Sequence, residues 1–287
     1  MSELLEPFGF AFFRHGILVA TVAGALCGLV GVYVVLRGMS YIGHGLSHAI
    51  FGGAAASAVL SQNVYLGAGV WGLASALMIG RVTRRRVIGS DAAIGVITTA
   101  SFALGLVLFN AFGTARRSVD AMLFGSILGV SAQDVWVIAG VGAGAAALVF
   151  LRYRALLFAT FDPEVAEVSG VNTARIDALL MLALAGAVLA TMKVIGVVLV
   201  AAMLVIPAVV ARLLTNRFAW MLWLAVAVGA VSGFAGMYLS YFLDVSSGAT
   251  IVLVGTAAFL AVYALTGRRR LDRIAGMDHP AHRPAAG

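Results

Sequence analysis

The chain has 287 residues, of which 62% are hydrophobic and only 11% are charged. Soluble globular domains carry roughly 25% charged residues, so this composition excludes the soluble classes of enzyme and binding domain. The net charge of +7 comes from short arginine clusters between apolar runs, which mark cytoplasmic loops and do not indicate a nucleic-acid partner. The sequence therefore predicts an all-α, polytopic transmembrane helical bundle.

Apolar runs of about 20 residues, long enough to cross a bilayer as helices, recur along the whole chain. They fall at 16–36, 42–61, 64–80, 91–112, 133–151, 174–192, 195–213, 219–242 and 248–266. The run at 64–80 is short and residues 118–132 could form a partial or re-entrant segment, so we expect eight or nine spans. The transmembrane domain is predicted at 16–266, after an interfacial amphipathic segment at 1–15 and before a disordered cytoplasmic tail at 267–287.

Basic loops predict the orientation of the chain in the membrane. Arginine-bearing loops lie at 81–90, 152–173 and 212–218, and the tail begins at Arg268. Such loops remain on the cytoplasmic side of a membrane. With nine spans the N-terminus lies outside and the C-terminus inside, whereas eight spans would put both inside.

Two histidines, His44 and His48, lie four residues apart in an apolar, glycine-rich run. This spacing puts both imidazoles on one face of a helix, where they could hold one divalent cation. Ionisable side chains inside a bilayer are costly and usually functional, so we interpret the pair as a metal path; a structural pair bonded to carbonyls is the alternative. Two ligands do not close a site, and water, Ser47, Asp91 or Asp244 could complete it.

Residues 161–171 form the longest polar, acid-bearing stretch of the chain. Asp162 is suited to the N-cap of a helix, Pro163 to its first position, with Glu164 in the first turn, and Gly170 to the position just past its end. The sequence predicts a short cytoplasmic helix at about 162–171. A helix of about two turns needs a docking partner to persist in water.

Helix packing and helix bending are indicated in other spans. Small residues spaced three or four apart allow close helix packing in lipid, and they recur as Gly24, Gly28, Gly31, Gly229, Gly233 and Gly236. Pro207 lies inside a predicted span, where it should bend the helix and free a carbonyl. It is a candidate gate, although a structural kink is an equal alternative.

Three groups of motifs, in fixed order over roughly residues 10–266, resemble the permease subunits of ATP-driven importers of manganese, zinc or iron (the ABC-3 type). The motifs are Arg37–Ser40 with Gly43–Ala49 and Gly52–Gly53; Asp91–Ile97 with Ala103–Gly105; and Phe161–Gly170 continuing through Gly196–Val200 to Ile206–Ala208 and Ala211–Leu214. The resemblance implies the type II ABC importer permease fold in the bacterial cytoplasmic (inner) membrane. The segment at 162–171 would then be the coupling helix.

The same resemblance implies the partners and the cargo. We expect a second copy of the chain, two cytoplasmic ATP-binding subunits, an extracytoplasmic metal-binding protein and membrane lipid around the bundle. The cargo would be Zn²⁺ or Mn²⁺, with no permanently bound cofactor. The family usually has Asp where this chain has His44, whereas His48 matches. Because two imidazoles suit zinc better than manganese, we expect zinc first, then manganese and iron.

Other functions are less consistent with these residues. The chain has no Gly-rich phosphate loop ending in Gly-Lys-Ser or Gly-Lys-Thr, so ATP hydrolysis is expected from a separate chain and no enzyme activity from this one. A membrane metalloprotease would need a Glu after His44, which is followed by Gly45. A permease for a metal chelate or cobalamin, or a secondary metal transporter, is the alternative.

Overall fold

A computed structural model describes residues 6–84, 89–112, 125 and 130–277, and within these the regular structure is helical. A short 3₁₀ turn at Glu6–Gly9 precedes eleven α-helices. They are α1 (Ala11–Leu36), α2 (Ile42–Val59), α3 (Val64–Arg84), α4 (Ser90–Phe112), α5 (Ala132–Leu151), α6 (Tyr153–Phe161), α7 (Pro163–Val168), α8 (Thr173–Ile195), α9 (Val197–Leu214), α10 (Phe218–Leu243) and α11 (Ser247–Met277).

Nine of the described helices have membrane length. Eight of them, all but α2, are long and apolar enough to cross a bilayer by length and composition. Helix α2 has 18 residues, or about 27 Å, and its His, Ser and Gly residues reduce its hydropathy. However, 13 of its 18 residues are buried, so neighbouring helices and not lipid surround most of it. The helix that carries the histidine pair is thus an interior helix of the bundle.

Contacts between helix termini define two ends of the bundle. At one end, Arg37 after α1 pairs with Asp177 near the start of α8, and Phe218 at the start of α10 packs on Tyr153 at the start of α6. We call this the basic end, because it is where the helix termini carry Arg37, Arg152, Arg175, Arg212 and Arg217.

The opposite end is held by two polar contacts. Lys193 in the last turn of α8 lies 2.6 Å from the carboxylate of Asp134 at the start of α5. The hydroxyl of Ser247, at the start of α11, donates to the carbonyl of Val194. Helix α8 therefore runs from the basic end to the opposite end, and α11 runs back.

Helices α1 and α10 pack with their backbones in contact. A Cβ built on Gly24 would lie 2.0 Å from the carbonyl oxygen of Gly229, and one built on Gly229 would lie 2.0 Å from that of Gly24. A Cβ on Gly28 would lie 2.2 Å from the carbonyl oxygen of Ala225. Close approach through small residues is how helices associate without a hydrophobic drive between them. The predicted packing role of these glycines is confirmed.

Helix α2 is held between α3 and α4 by the same close packing through glycine residues. A Cβ on Gly105 of α4 would lie 2.6 Å from the Cα of Gly52, and one on Gly53 would lie 2.6 Å from the carbonyl oxygen of Gly67 in α3. Ile50 fills the space in front of Gly72, where a Cβ would lie 2.4 Å from its side chain. Backbone contact on two sides fixes the position of α2 and its histidines.

Both terminal helices extend beyond the apolar runs that indicated them in the sequence. Helix α1 begins at Ala11, within the predicted interfacial segment, because Phe13 is fully buried and packs on Tyr241 at 5.2 Å between ring centroids. Helix α11 continues to Met277, into the predicted disordered tail, where Arg, Leu and Ala are strong helix formers. Residues 278–287, and all of 118–132 except 125 and 130–132, lie outside the described residues.

Candidate functional site

The two histidines lie in the first two turns of α2, and their rings are in contact. The two Nε2 atoms are 3.0 Å apart, with ring centroids 4.3 Å apart and ring planes at 88°. At 3.0 Å the two imidazoles are within hydrogen-bond distance, with one ring nitrogen donating to the other. Two nitrogen ligands about 2.0–2.1 Å from one metal ion, at angles of 90–109°, are about 2.8–3.4 Å from each other. The same separation is therefore also compatible with two neighbouring positions around one ion.

The pair lies in the interior of the bundle, near mid-depth. A Cβ on Gly43 would lie 2.7 Å from Leu204 in the middle of α9, and one on Gly45 would meet Ile94 at 2.6 Å. Two residues beyond His48, Ile50 packs on Gly72 near the midpoint of α3. Both histidines are only partly buried, so part of each ring remains accessible.

Aromatic rings border both histidines. The ring of Tyr41 lies 5.4 Å from that of His44, and the ring of Phe102 in α4 lies 4.5 Å from that of His48, centroid to centroid. Ser47 is fully buried, and its hydroxyl donates to the carbonyl of His44 at 2.8 Å. The hydroxyl of Ser47 is thus engaged with its own helix.

The structure does not bring the candidate acidic ligands to the histidines. Asp91 is exposed in the first turn of α4. Asp244 is exposed just after α10, in a left-handed backbone conformation with φ 52°. Over the described ranges there is no group of three or more His, Cys, Asp or Glu residues placed to hold a metal. One chain therefore offers two imidazole nitrogens, and the remaining ligand positions are open to water or another subunit.

The segment predicted to dock a partner forms the short helix α7, and its N-terminus has the predicted cap. The Asp162 carboxylate accepts a hydrogen bond from the backbone N–H of Val165 at 3.0 Å, and Pro163 takes the first helical position. Glu164 lies in the first turn, where its negative charge interacts favourably with the positive end of the helix dipole.

Helix α7 ends at Val168, and Gly170 lies just past its end, as predicted, with a left-handed φ of +81°. The N–H of Gly170 donates to the carbonyl of Glu167 at 3.0 Å, and that of Val171 donates to the carbonyl of Ala166 at 2.9 Å. These two bonds are the Schellman pattern, which satisfies carbonyls that a helix end leaves unpaired. The predicted helix and both its caps are confirmed.

Apolar side chains are exposed around α7 at the basic end. Ala166 is fully buried and anchors the helix, whereas Val165 is 48% exposed and Val168 is 92% exposed. Phe161, just before the helix, is 58% exposed. Exposed apolar patches on an otherwise polar surface mark interaction sites.

A partly buried ion pair behind α7 was missed by sequence reasoning. The Arg37 guanidinium lies 2.6 Å from the carboxylate of Asp177, and its Nε donates to the hydroxyl of Thr160 at 3.2 Å. The side chains of Arg37 and Asp177 are only 11% and 24% exposed. These contacts join α1, α6 and α8. The pair borders a cavity of about 370 Å³ that Pro163 and Glu167 of α7 also line. The position of Arg37 in the first motif was a signal that this residue has a role, but it did not identify Asp177 as its partner.

Pro207 is buried inside α9, which continues through it from Val197 to Leu214. One turn earlier in this helix, Leu204 reaches Gly43 at the start of α2. The gate candidate thus belongs to a helix in contact with the histidine-bearing helix.

Comparison with known proteins identifies the family. The family model of the ABC 3 transport family matches residues 9–266. The chain belongs to this family. It is 38% identical to the manganese transport system membrane protein MntC of Halalkalibacterium halodurans, over 90% of this chain and 88% of that protein. It is 35% identical to a probable iron transport system membrane protein of Haemophilus influenzae, over 91% of this chain and 96% of that protein.

A solved structure agrees with the fold as well as with the sequence. PsaBC from Streptococcus pneumoniae, in complex with Fab, contains a chain that superposes with a TM-score of 0.82 at 32% identity, covering 91% of this chain and 95% of that one. The predicted family, all-α fold and multi-pass location in a bacterial membrane are thereby confirmed. The relatives above are named for manganese and iron, so the predicted preference for zinc receives no support.

Proposed function

We propose that this chain is the permease subunit of an ATP-driven importer of divalent transition-metal ions, with Mn²⁺ as the cargo. The observation that carries the proposal is the 3.0 Å separation of the Nε2 atoms of His44 and His48 on a buried helix. Relatives named for manganese transport support the choice of metal. His44 occupies the position where the family usually has Asp. In this chain an imidazole nitrogen would therefore bind Mn²⁺ at that position, in place of a hard carboxylate oxygen.

An incomplete ligand set suits transport. A conduction site must bind its ion well enough to accept it and weakly enough to release it. Two imidazoles with water in the remaining positions meet this requirement, because manganese retains oxygen ligands readily. The imidazoles of His44 and His48 would replace two of the waters of the arriving ion and release it when the surrounding helices move.

The orientation of the chain in the membrane is inferred from the distribution of charge. We assign the basic end to the cytoplasm, because arginine-rich termini stay on that side of a membrane. With nine spans the N-terminus is then outside and the C-terminus inside. The cation would enter from the opposite end, reach the histidines near mid-depth, and leave at the basic end beside α7. Pro207 in α9 is a candidate gate residue along this route.

The proposed partners account for the exposed surfaces. Two cytoplasmic ATP-binding subunits would dock on the apolar side chains around α7, such as Val165 and Val168. Helix α5, of which only 17% is buried, offers a face to lipid or to a second copy of the chain. An extracytoplasmic metal-binding protein would deliver the ion to the opposite end.

ATP-dependent uptake of Mn²⁺ into liposomes tests the proposal. The purified complex with its ATPase is reconstituted with the unmodified chain, with His48→Ala, or with His15→Ala, which removes a histidine from the first turns of α1. We expect His48→Ala to abolish uptake and His15→Ala to leave it unchanged. Unchanged uptake in both variants would contradict the assigned site. Uptake that needs no ATP, or only a chelated metal, would contradict the assigned function.

A further inference from the structure

The imidazole of His48 has an aromatic neighbour, and one of its nitrogens has no hydrogen-bond partner among the described residues. The ring of Phe102 lies 4.5 Å from it, centroid to centroid, with the ring planes at 57°. The Nδ1 atom of His48 is buried and has no hydrogen-bond partner among the described residues. The orientation of this imidazole therefore depends on packing and on the contact of its Nε2 with His44.

Histidine ligands of metals are usually oriented differently. The ring nitrogen that does not bind the metal donates to a carboxylate, a carbonyl or water, which fixes the ring and makes it a stronger ligand. When Nε2 of His48 binds an ion, the proton of the neutral ring resides on Nδ1. Without an acceptor for that proton, another contact must fix the rotation of the ring.

Phe102 is itself held firmly enough to do this. Its ring packs on Phe51, which is 2% exposed, at a centroid distance of 5.2 Å. Helix α4 is fixed against α2 about one turn on either side of Phe102. On one side a Cβ on Gly45 would lie 2.8 Å from Thr98, and on the other Gly105 meets Gly52. The ring thus stands on a backbone framework that cannot easily shift.

We propose that Phe102 is the positioning residue for the metal site, its ring holding the His48 imidazole with Nε2 directed towards His44. This inference rests on the proposed function of the histidine pair. An aromatic ring orients the imidazole without increasing its strength as a ligand, whereas a carboxylate would do both. Such an arrangement gives a defined but weak site, which suits an ion that must leave again.

Transport kinetics of the reconstituted complex test the proposal. We compare Phe102→Leu and Phe102→Met, which retain apolar volume without a flat ring, with Phe102→Tyr, which retains the ring. Phe13→Leu is the control, because it removes a fully buried ring from α1 that packs on Tyr241, in a cluster that includes neither Phe102 nor His48. Loss of an orienting neighbour reduces metal affinity by about 10–100-fold.

We expect Phe102→Leu and Phe102→Met to raise the apparent KM for Mn²⁺ at least about tenfold, with Vmax per folded complex retained. Phe102→Tyr should retain the unmodified KM, and Phe13→Leu should leave it unchanged. A fall in Vmax at unchanged KM, an equal rise in KM for Phe13→Leu, or no change at all would overturn the positioning role. Normal uptake by His48→Ala would instead overturn the proposed function, so the two failures are distinguishable.

Discussion

The ion pair between Arg37 and Asp177 allows a quantitative test of how the helices behind α7 are held together. Replacing Arg37 by Met removes the cation and its hydrogen bond to Thr160, while most of the apolar stem remains. Breaking a fully buried pair costs about 3–5 kcal/mol, and an exposed pair is worth about 0–1 kcal/mol. The side-chain exposures of 11% and 24% put this pair between the two limits.

We therefore expect a coupling of about 1–3 kcal/mol between the two side chains. The assay is a double-mutant cycle with Arg37→Met, Asp177→Asn and the double variant, read as thermal unfolding of the detergent-purified chain. Each single variant should lower Tm by on the order of 5 °C, and the double variant should lower it by less than the sum. Additive effects would refute the view that this contact joins α1 to α8.

Three further predictions follow from glycine geometry and ligand chemistry. Gly24→Val should prevent α1 from packing on α10 and abolish the monodisperse folded peak in size-exclusion chromatography, whereas Gly9→Val, with open space around it, should not. Gly170→Val should strain the left-handed end of α7 by about 1–2 kcal/mol and uncouple ATP hydrolysis from uptake; Gly140→Val, which is unobstructed, should leave both rates unchanged. His44→Asp should preserve uptake and shift competition between Zn²⁺ and Mn²⁺ towards Mn²⁺; an unchanged ratio would argue against direct ligation by this residue.

Features with a local signature were readable from the sequence. The membrane helices follow from apolar runs, and the caps of α7 follow from Asp162, Pro163 and Gly170, because capping depends on residues a few positions apart. The histidine pair is local in the same sense, since i, i+4 neighbours on a helix always share a face. Hydropathy did not locate the start of α1, because Phe13 is buried by tertiary contacts beside polar Arg14 and His15.

Features that depend on distant residues could not be predicted. Arg37 and Asp177 are 140 positions apart, and nothing in a single sequence indicates that α1 and α8 bring them together. The contact of Phe102 with His48 depends in the same way on how α4 packs against α2. The candidate ligand Asp91 lies in α4, which packs against the histidine-bearing helix α2, but its side chain is exposed. Pairing between helices is decided by packing, which hydropathy and spacing do not encode.

The central claim, that both histidines bind the transported ion directly, is tested most directly by pulsed electron paramagnetic resonance of Mn²⁺ bound to the purified complex. Nitrogen nuclei coordinated to Mn²⁺ give resolved couplings, so the unmodified chain should give the signal of two imidazole nitrogens. Each of His44→Ala and His48→Ala should lose one of them, while His15→Ala should retain both. Bound Mn²⁺ with no nitrogen coupling, or with couplings that survive both substitutions, would contradict the account.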